Sequence, residues 1–110
     1  MRENYRCGYV YLRDEFVGII SETEDGYEFS YDETYLSKDA PLSVSLTLPV
    51  DKNPFISKTV FPFFEGLIPE GWLLEAVVHN WKLDSNDRFG LLLCACHDCI
   101  GDVHVEVEKL

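Results

Sequence analysis

Cys94, Cys96, His97, Asp98 and Cys99 fall within six residues, and thiolate and imidazole are the ligands zinc prefers. Structural zinc sites pair two knuckles of the C-x2-4-C or H-x3-5-H kind, and here only the distant Cys7 is left to complete a fourth ligand. The spacing argues instead for cysteines packed as small hydrophobes, with no metal and no cofactor expected. Glu75 and His79 stand one helical turn apart and could pair as an acid and a base. On a solvated face such a pair is far more often a weak stabilising contact than a catalytic one. His97 and His104 read as surface or structural positions. The chain has no G-x-x-x-x-G-K-S/T loop, no G-x-G-x-x-G, no G-x-S-x-G elbow, and neither a kinase catalytic loop nor a D-F-G. It is read as non-enzymatic.

The remaining residue of interest is Trp72. It lies in the aromatic-rich stretch 61–81, which also holds Pro62, Gly66, Pro69 and Gly71. If Pro69, Glu70 and Gly71 open a helix, with Pro in its first turn, no breaker follows before Trp81. Leu74, Val77, Val78 and Trp81 then form one apolar stripe. At about 100° per residue Trp72 points away from that stripe, beside Glu75 and His79. Two roles are open to it. It folds back on Phe61, Phe63 and Phe64 as large aromatics commonly do, or it anchors another protein, since Trp is enriched among the few residues that dominate interfaces.

The elements that would position these residues are legible as patterns. Residues 7–12 and 16–20 are β-favouring runs joined by the polar Arg13-Asp14-Glu15, a turn of hairpin length. Gly26 supplies a turn before residues 27–31, so the first three strands form an antiparallel meander. Residues 35–41 read as a connection with a helical turn closed by Pro41. Leu42, Val44, Leu46 and Leu48 alternate with Ser43, Ser45 and Thr47, which predicts a half-buried fourth strand ended by Pro49. Residues 51–58 read as a loop, and residues 61–68 as a first short helix. A later helix runs from Asp87 to about Cys96, with Asp84 or Ser85 as its N-cap. Val103, Val105 and Val107 close the chain as a strand. Strands first, helices next and a strand last predict an α+β domain: an antiparallel sheet of about five strands with two or three short helices on one face.

Composition bounds the rest. A chain of 110 residues with 46% hydrophobic and 14% aromatic content fits one folded domain spanning residues 1–110. No apolar run is long enough to span a membrane, and the N-terminus has no signal-peptide pattern, which points to a cytoplasmic protein. With 20 acidic against 9 basic residues the net charge is -11. Such a surface repels a phosphate backbone, so direct nucleic-acid binding is not expected.

Taken together, these segments resemble the N-terminal subdomain of HipA-type serine/threonine kinase toxins. The resemblance rests on Val10-Tyr11-Leu12 with Val17-Gly18, on Phe29-Ser30-Tyr31, and on the run from Pro41 to Pro49. Residues 63–71 are similar to that family's F-F-x-x-L-L-P-E-G, residues 87–92 to its D-x-F-x-L-L, and residues 98–101 to its closing D-C-x-G. Two positions depart from the pattern. Asp102 replaces a small apolar residue, and Trp72 follows the P-E-G where Trp is not usual.

The resemblance implies a function. In HipA-type kinases this subdomain is fused to the ATP-binding and catalytic parts. A free-standing copy looks like the HipS family, the small antitoxins of tripartite HipBST toxin-antitoxin systems. The implied partner is a HipT-like kinase, with a HipB-like DNA-binding protein as the third component. The expected contact residues are Trp72 as anchor, Pro69, Glu70 and Gly71 setting its direction, and Glu75 and His79 at its rim. Two alternatives stay open at this point: a scaffold joining the kinase to the HipB-like protein without inhibiting it, and an N-terminal piece of a complete HipA-type kinase.

Overall fold

The computed structural model describes residues 5–68, 87–95 and 102–107. Five strands form one antiparallel sheet in the order β4-β3-β2-β1-β5: β1 Cys7–Leu12, β2 Glu15–Glu22, β3 Tyr27–Tyr31, β4 Phe55–Ser57 and β5 Val103–Glu106. Three short helices accompany it among the described residues: α1 Glu33–Leu36, α2 Pro62–Glu65 and α3 Arg88–Ala95. The expected α+β architecture is therefore present, and its first three strands fall where the alternation put them.

The β1–β2 hairpin closes through two residues, Arg13 and Asp14, both with positive φ (52° and 67°). That is the primed turn whose twist matches the flanking strands, although Asn-Gly is the sequence that forms it with least strain. Asp102 holds it: the Arg13 amide donates to the Asp102 carbonyl at 2.7 Å, and the Arg13 guanidinium meets the Asp102 carboxylate at 3.3 Å. Further along, Val10 pairs with Gly18 but Tyr11 pairs with Phe16. Val17 is the extra residue of a bulge, and it is fully buried.

One sheet face carries the core. Val10, Ile20, Phe29 and Val105 are fully buried there, under Phe64 of α2 and Phe89, Leu91 and Leu92 of α3. The Phe64 ring lies 5.5 Å from that of Phe29, and Phe89 lies 5.5 Å from Tyr27. A helix as short as α2 is unstable alone, so its order derives from this packing, helped by Pro62 in the first turn. Gly8 admits α3 closely, because a Cβ there would sit 2.7 Å from Leu93 and 2.6 Å from Val105. The other face shows Tyr9, Tyr11, Phe16, Ile19 and His104, with Tyr11 stacked on His104 at 5.1 Å.

Two expectations about strands need correction. Residues 42–49 do not form a strand. Val44 and Leu48 are buried, but Leu42 is 54% and Leu46 100% exposed, so the period of two is broken. The chain reverses between Ser45 and Leu48, and tyrosine hydroxyls replace a neighbouring strand. The Tyr31 hydroxyl accepts from the Val44 amide at 3.0 Å and donates to the Leu48 carbonyl, and the Tyr35 hydroxyl accepts from the Leu42 amide at 3.0 Å. Burial pushes the Tyr31 phenol pKa up, which keeps the proton it donates. The fourth strand is instead Phe55–Ser57, within the stretch expected to be a loop. It pairs through Tyr27↔Ser57 and Phe29↔Phe55, a short edge strand that offers little template for aggregation.

Smaller differences follow the same logic. The helical turn α1 begins at Glu33, capped by Asp32, whose side chain accepts from the Tyr35 amide at 3.2 Å. Val107 is 57% exposed, beyond the last pair of the ladder, Tyr9↔Glu106. Asp87 itself, rather than Asp84 or Ser85, caps α3: its carboxylate accepts from the Gly90 amide at 3.1 Å. The helix expected from Pro69 to Trp81 lies outside the described residues.

Two substitutions test these local accounts. Tyr31→Phe leaves the Val44 amide and Leu48 carbonyl without their partner, and should cost about 1–3 kcal/mol in urea unfolding. Asp14→Gly relieves a left-handed Asp, and should raise stability by about 0.5–1 kcal/mol, read as a Tm gain of a few degrees.

Candidate functional site

Trp72, Pro69, Glu70, Gly71, Glu75 and His79 all lie outside the described residues. What the structure shows is how the chain on either side of them is held. Ile68, the last residue before the stretch, is buried in the core. Asp87, the first residue after it, stands at the head of α3. Glu65 of α2 and Arg88 of α3 meet at 3.2 Å, so the two flanks of residues 69–86 are tied to each other. Between them opens a cleft of about 250 Å³ lined by Tyr27, Lys58, Thr59, Val60, Glu65, Asp87 and Arg88.

A second tie is stronger. The Arg6 guanidinium makes paired hydrogen bonds to two carboxylates: to Glu22 at 2.8 and 3.0 Å, and to Asp87 at 2.9 Å through both terminal nitrogens. The Arg6 amide also donates to Glu22 at 2.9 Å, and the guanidinium carbon lies 5.5 Å over the Phe89 ring. Paired forks of this kind combine strength with fixed geometry. The hydrogen bonds from Arg6 hold both carboxyls below their usual pKa range, and the two carboxylates hold the Arg6 pKa well above its ordinary value. Gly90 makes room, since a Cβ there would lie 2.3 Å from the Asp87 carboxylate. The clamp thus joins the start of β1, the end of β2 and the head of α3.

Other candidates from the sequence take structural places. Cys7 has a free, half-buried thiol, while Cys96, His97, Asp98 and Cys99 lie outside the described residues. His104 sits 3.4 Å from Glu106 and stacks on Tyr11, which makes it part of the open sheet face. The motif positions that carried the resemblance serve the core: Phe64, Ile68, Phe89, Leu91 and Leu92 are buried, and Asp87 is the cap and clamp. Sequence reasoning missed Arg6 altogether. Its partners lie 16 and 81 residues away, and local patterning carries no signal at such separations.

A five-stranded antiparallel sheet with short helices over one face, and clamped flanks around an eighteen-residue stretch (69–86), defines an α+β domain. The sequence model of the HipA N-terminal domain family matches residues 8–106, and the chain belongs to that family. A protein of Haemophilus influenzae is 37% identical over 109 residues, 99% of each chain. A solved structure of the N-terminal domain of HipA toxin shares 34% identity with a TM-score of 0.73, over 99% of this chain and 98% of that one. The chain is therefore a HipA-related toxin-antitoxin component. The match takes up nearly its whole length, so a kinase domain has no counterpart within these residues.

The clamp predicts a pH signature. Glu22 and Asp87 have depressed folded pKa values, so their contribution is complete above the unfolded carboxylate range of about 4–4.5 and is lost as pH falls through the folded values. Arg6→Gln should cost about 1–2 kcal/mol at pH 7, a figure reduced from that of a buried charged pair because Arg6 is 40% exposed. In urea unfolding, wild type should lose more stability between pH 7 and pH 3 than Arg6→Gln does. Equal losses would show that the clamp is not the acid-sensitive element.

Proposed function

We propose that residues 1–110 act as one HipA N-terminal-like unit in trans: an antitoxin of the HipS kind that binds a HipT-like serine/threonine kinase in the cytoplasm and inhibits it. The observation that carries this reading is coverage. The Haemophilus influenzae relative is matched over 99% of its own length, and the similarity to the N-terminal-domain structure runs over 98% of that chain, so these residues match the domain that HipA-type kinases carry in fusion, and a relative exists that is made of this stretch alone. A detached domain loses the high effective concentration of fusion and must bind through an interface of its own.

Trp72 is the anchor of that interface. Pro69, Glu70 and Gly71 set its direction, Glu75 and His79 form the rim, and the Trp72 ring enters or covers the kinase's active-site cleft. Clamped flanks support this, because holding the two ends of residues 69–86 before binding reduces what association must spend on conformational entropy. A HipB-like DNA-binding protein would be the third component, with no direct contact between this acidic chain and DNA.

The test is autophosphorylation and substrate phosphorylation by the cognate kinase, titrated with this protein and with Trp72→Ala. Wild type should inhibit at one equivalent. Loss of a hot-spot Trp, at about 2 kcal/mol or more, should weaken inhibition about 30-fold or more with the circular dichroism spectrum unchanged. Binding without inhibition by the wild-type protein would move the function to scaffolding, and full inhibition by the variant would remove Trp72 from the anchor role.

A further inference from the structure

On the sheet face turned away from α2 and α3, a groove of about 470 Å³ runs between β2, β3 and the start of α1. Register places Ile19 opposite Ser30 and Ser21 opposite Glu28, so these four share that face. They form the floor of the groove together with Phe16, while Asp32, Glu33 and Thr34 form its wall. Ile19 belongs to the central strand of the sheet, where a side chain is normally covered, yet it is 36% exposed. Among the described residues no element lies across it.

The charges in the groove are of one sign. Glu28, Asp32 and Glu33 line it, and no Lys or Arg does. Asp32 is engaged as the α1 cap, and Glu28 accepts a long 3.4 Å hydrogen bond from Ser30, so Glu28 and Glu33 retain most of their acceptor capacity. The nearest described cation on this side, Lys38, is paired with Glu15. An apolar floor beneath a carboxylate rim suits one kind of side chain, a long aliphatic stem with a cationic head.

We propose that this groove docks a basic segment of a protein partner, with an Arg or Lys stem lying on Ile19 and Phe16 and its head between Glu28 and Glu33. Charge decides the occupant. The groove gathers three of the carboxylates of a chain of net charge -11, a field that attracts a cationic segment and repels a nucleic acid. Shape decides between a segment and a small cation: the groove is open to solvent along its length and rests on a sheet surface, as a bound chain requires. None of its residues falls within 69–86, so the groove can be tested independently of Trp72.

The full chain, labelled with 15N, should be titrated with a synthetic heptapeptide alternating arginine and leucine, and in parallel with spermidine. Amide shifts are expected at Phe16, Ile19, Ser21, Glu28, Ser30 and Thr34, weakened by added salt. Glu28→Gln with Glu33→Gln should reduce peptide affinity about fivefold, the effect of two exposed charge pairs, and Ile19→Ala should reduce it while the rest of the spectrum stays in place. Shifts scattered over other acidic surfaces, shifts unchanged in the variants, equal affinity for spermidine, or no shifts at millimolar peptide would each overturn the proposal.

Discussion

One cation holds together three elements that are far apart in sequence. Arg6 precedes β1, Glu22 ends β2 and Asp87 heads α3, and the guanidinium bonds both carboxylates at once. The cation offsets the repulsion between the two carboxylates and holds both below their usual pKa range. Three elements joined at one point limit how α3 can lie on the sheet, and packing on the sheet sets the rest. The close contact allowed by Gly8 and the Phe89 ring beneath the guanidinium then follow from that placement. A partly exposed clamp of this kind adds modest stability. Its larger effect is orientation, because α3 begins where residues 69–86 return to the described core.

The parts of the fold written in short-range patterns were legible in advance. The meander of β1, β2 and β3 needs only alternation and turns, and both are local. Residues 42–49 show where that reasoning fails. Their alternation is the cleanest in the chain, but alternation reports which residues are apolar and not which backbone groups find partners. Here the partners are the hydroxyls of Tyr31 and Tyr35, whose reach depends on tertiary placement. The strand that actually borders β3, Phe55–Ser57, is three residues long and follows Asn53-Pro54, so its pairing with Tyr27 and Phe29 left no periodic trace.

The candidate site divides in the same way. Residues similar to the HipA N-terminal pattern identified the family, and most of those described prove to be core positions such as Phe64, Phe89 and Leu92. A family signature made of packing residues predicts the fold well and says little about the contact surface. Trp72 was singled out for the opposite reason, as a large aromatic off the apolar stripe of its expected helix. The acidic groove had no sequence signal, since Ile19, Glu28 and Glu33 come from three elements and meet only through register. Register also divides the tyrosines: Tyr27 faces the core side against Phe89, while Tyr9 and Tyr11 lie on the open face.

A sheet with helices on one side has two unequal faces, and this chain uses them differently. The covered face is apolar and filled by aromatic rings, so it is rigid, and its helices present the flanks of residues 69–86 from a fixed base. The open face is half aromatic and half acidic, with Tyr11 buried against His104 but Ile19 left accessible. In a fused kinase, geometry relative to the catalytic part is set by covalent connection. A chain working in trans has to recover that geometry from surface contacts, and one anchor residue fixes a position more readily than an orientation. A second contact region on the open sheet face, added to an anchor at Trp72, would fix both. In the proposed recognition the stiffness of the sheet would matter as much as the contact residues, because a loosened sheet would disturb the register that assembles the groove without altering any residue in it.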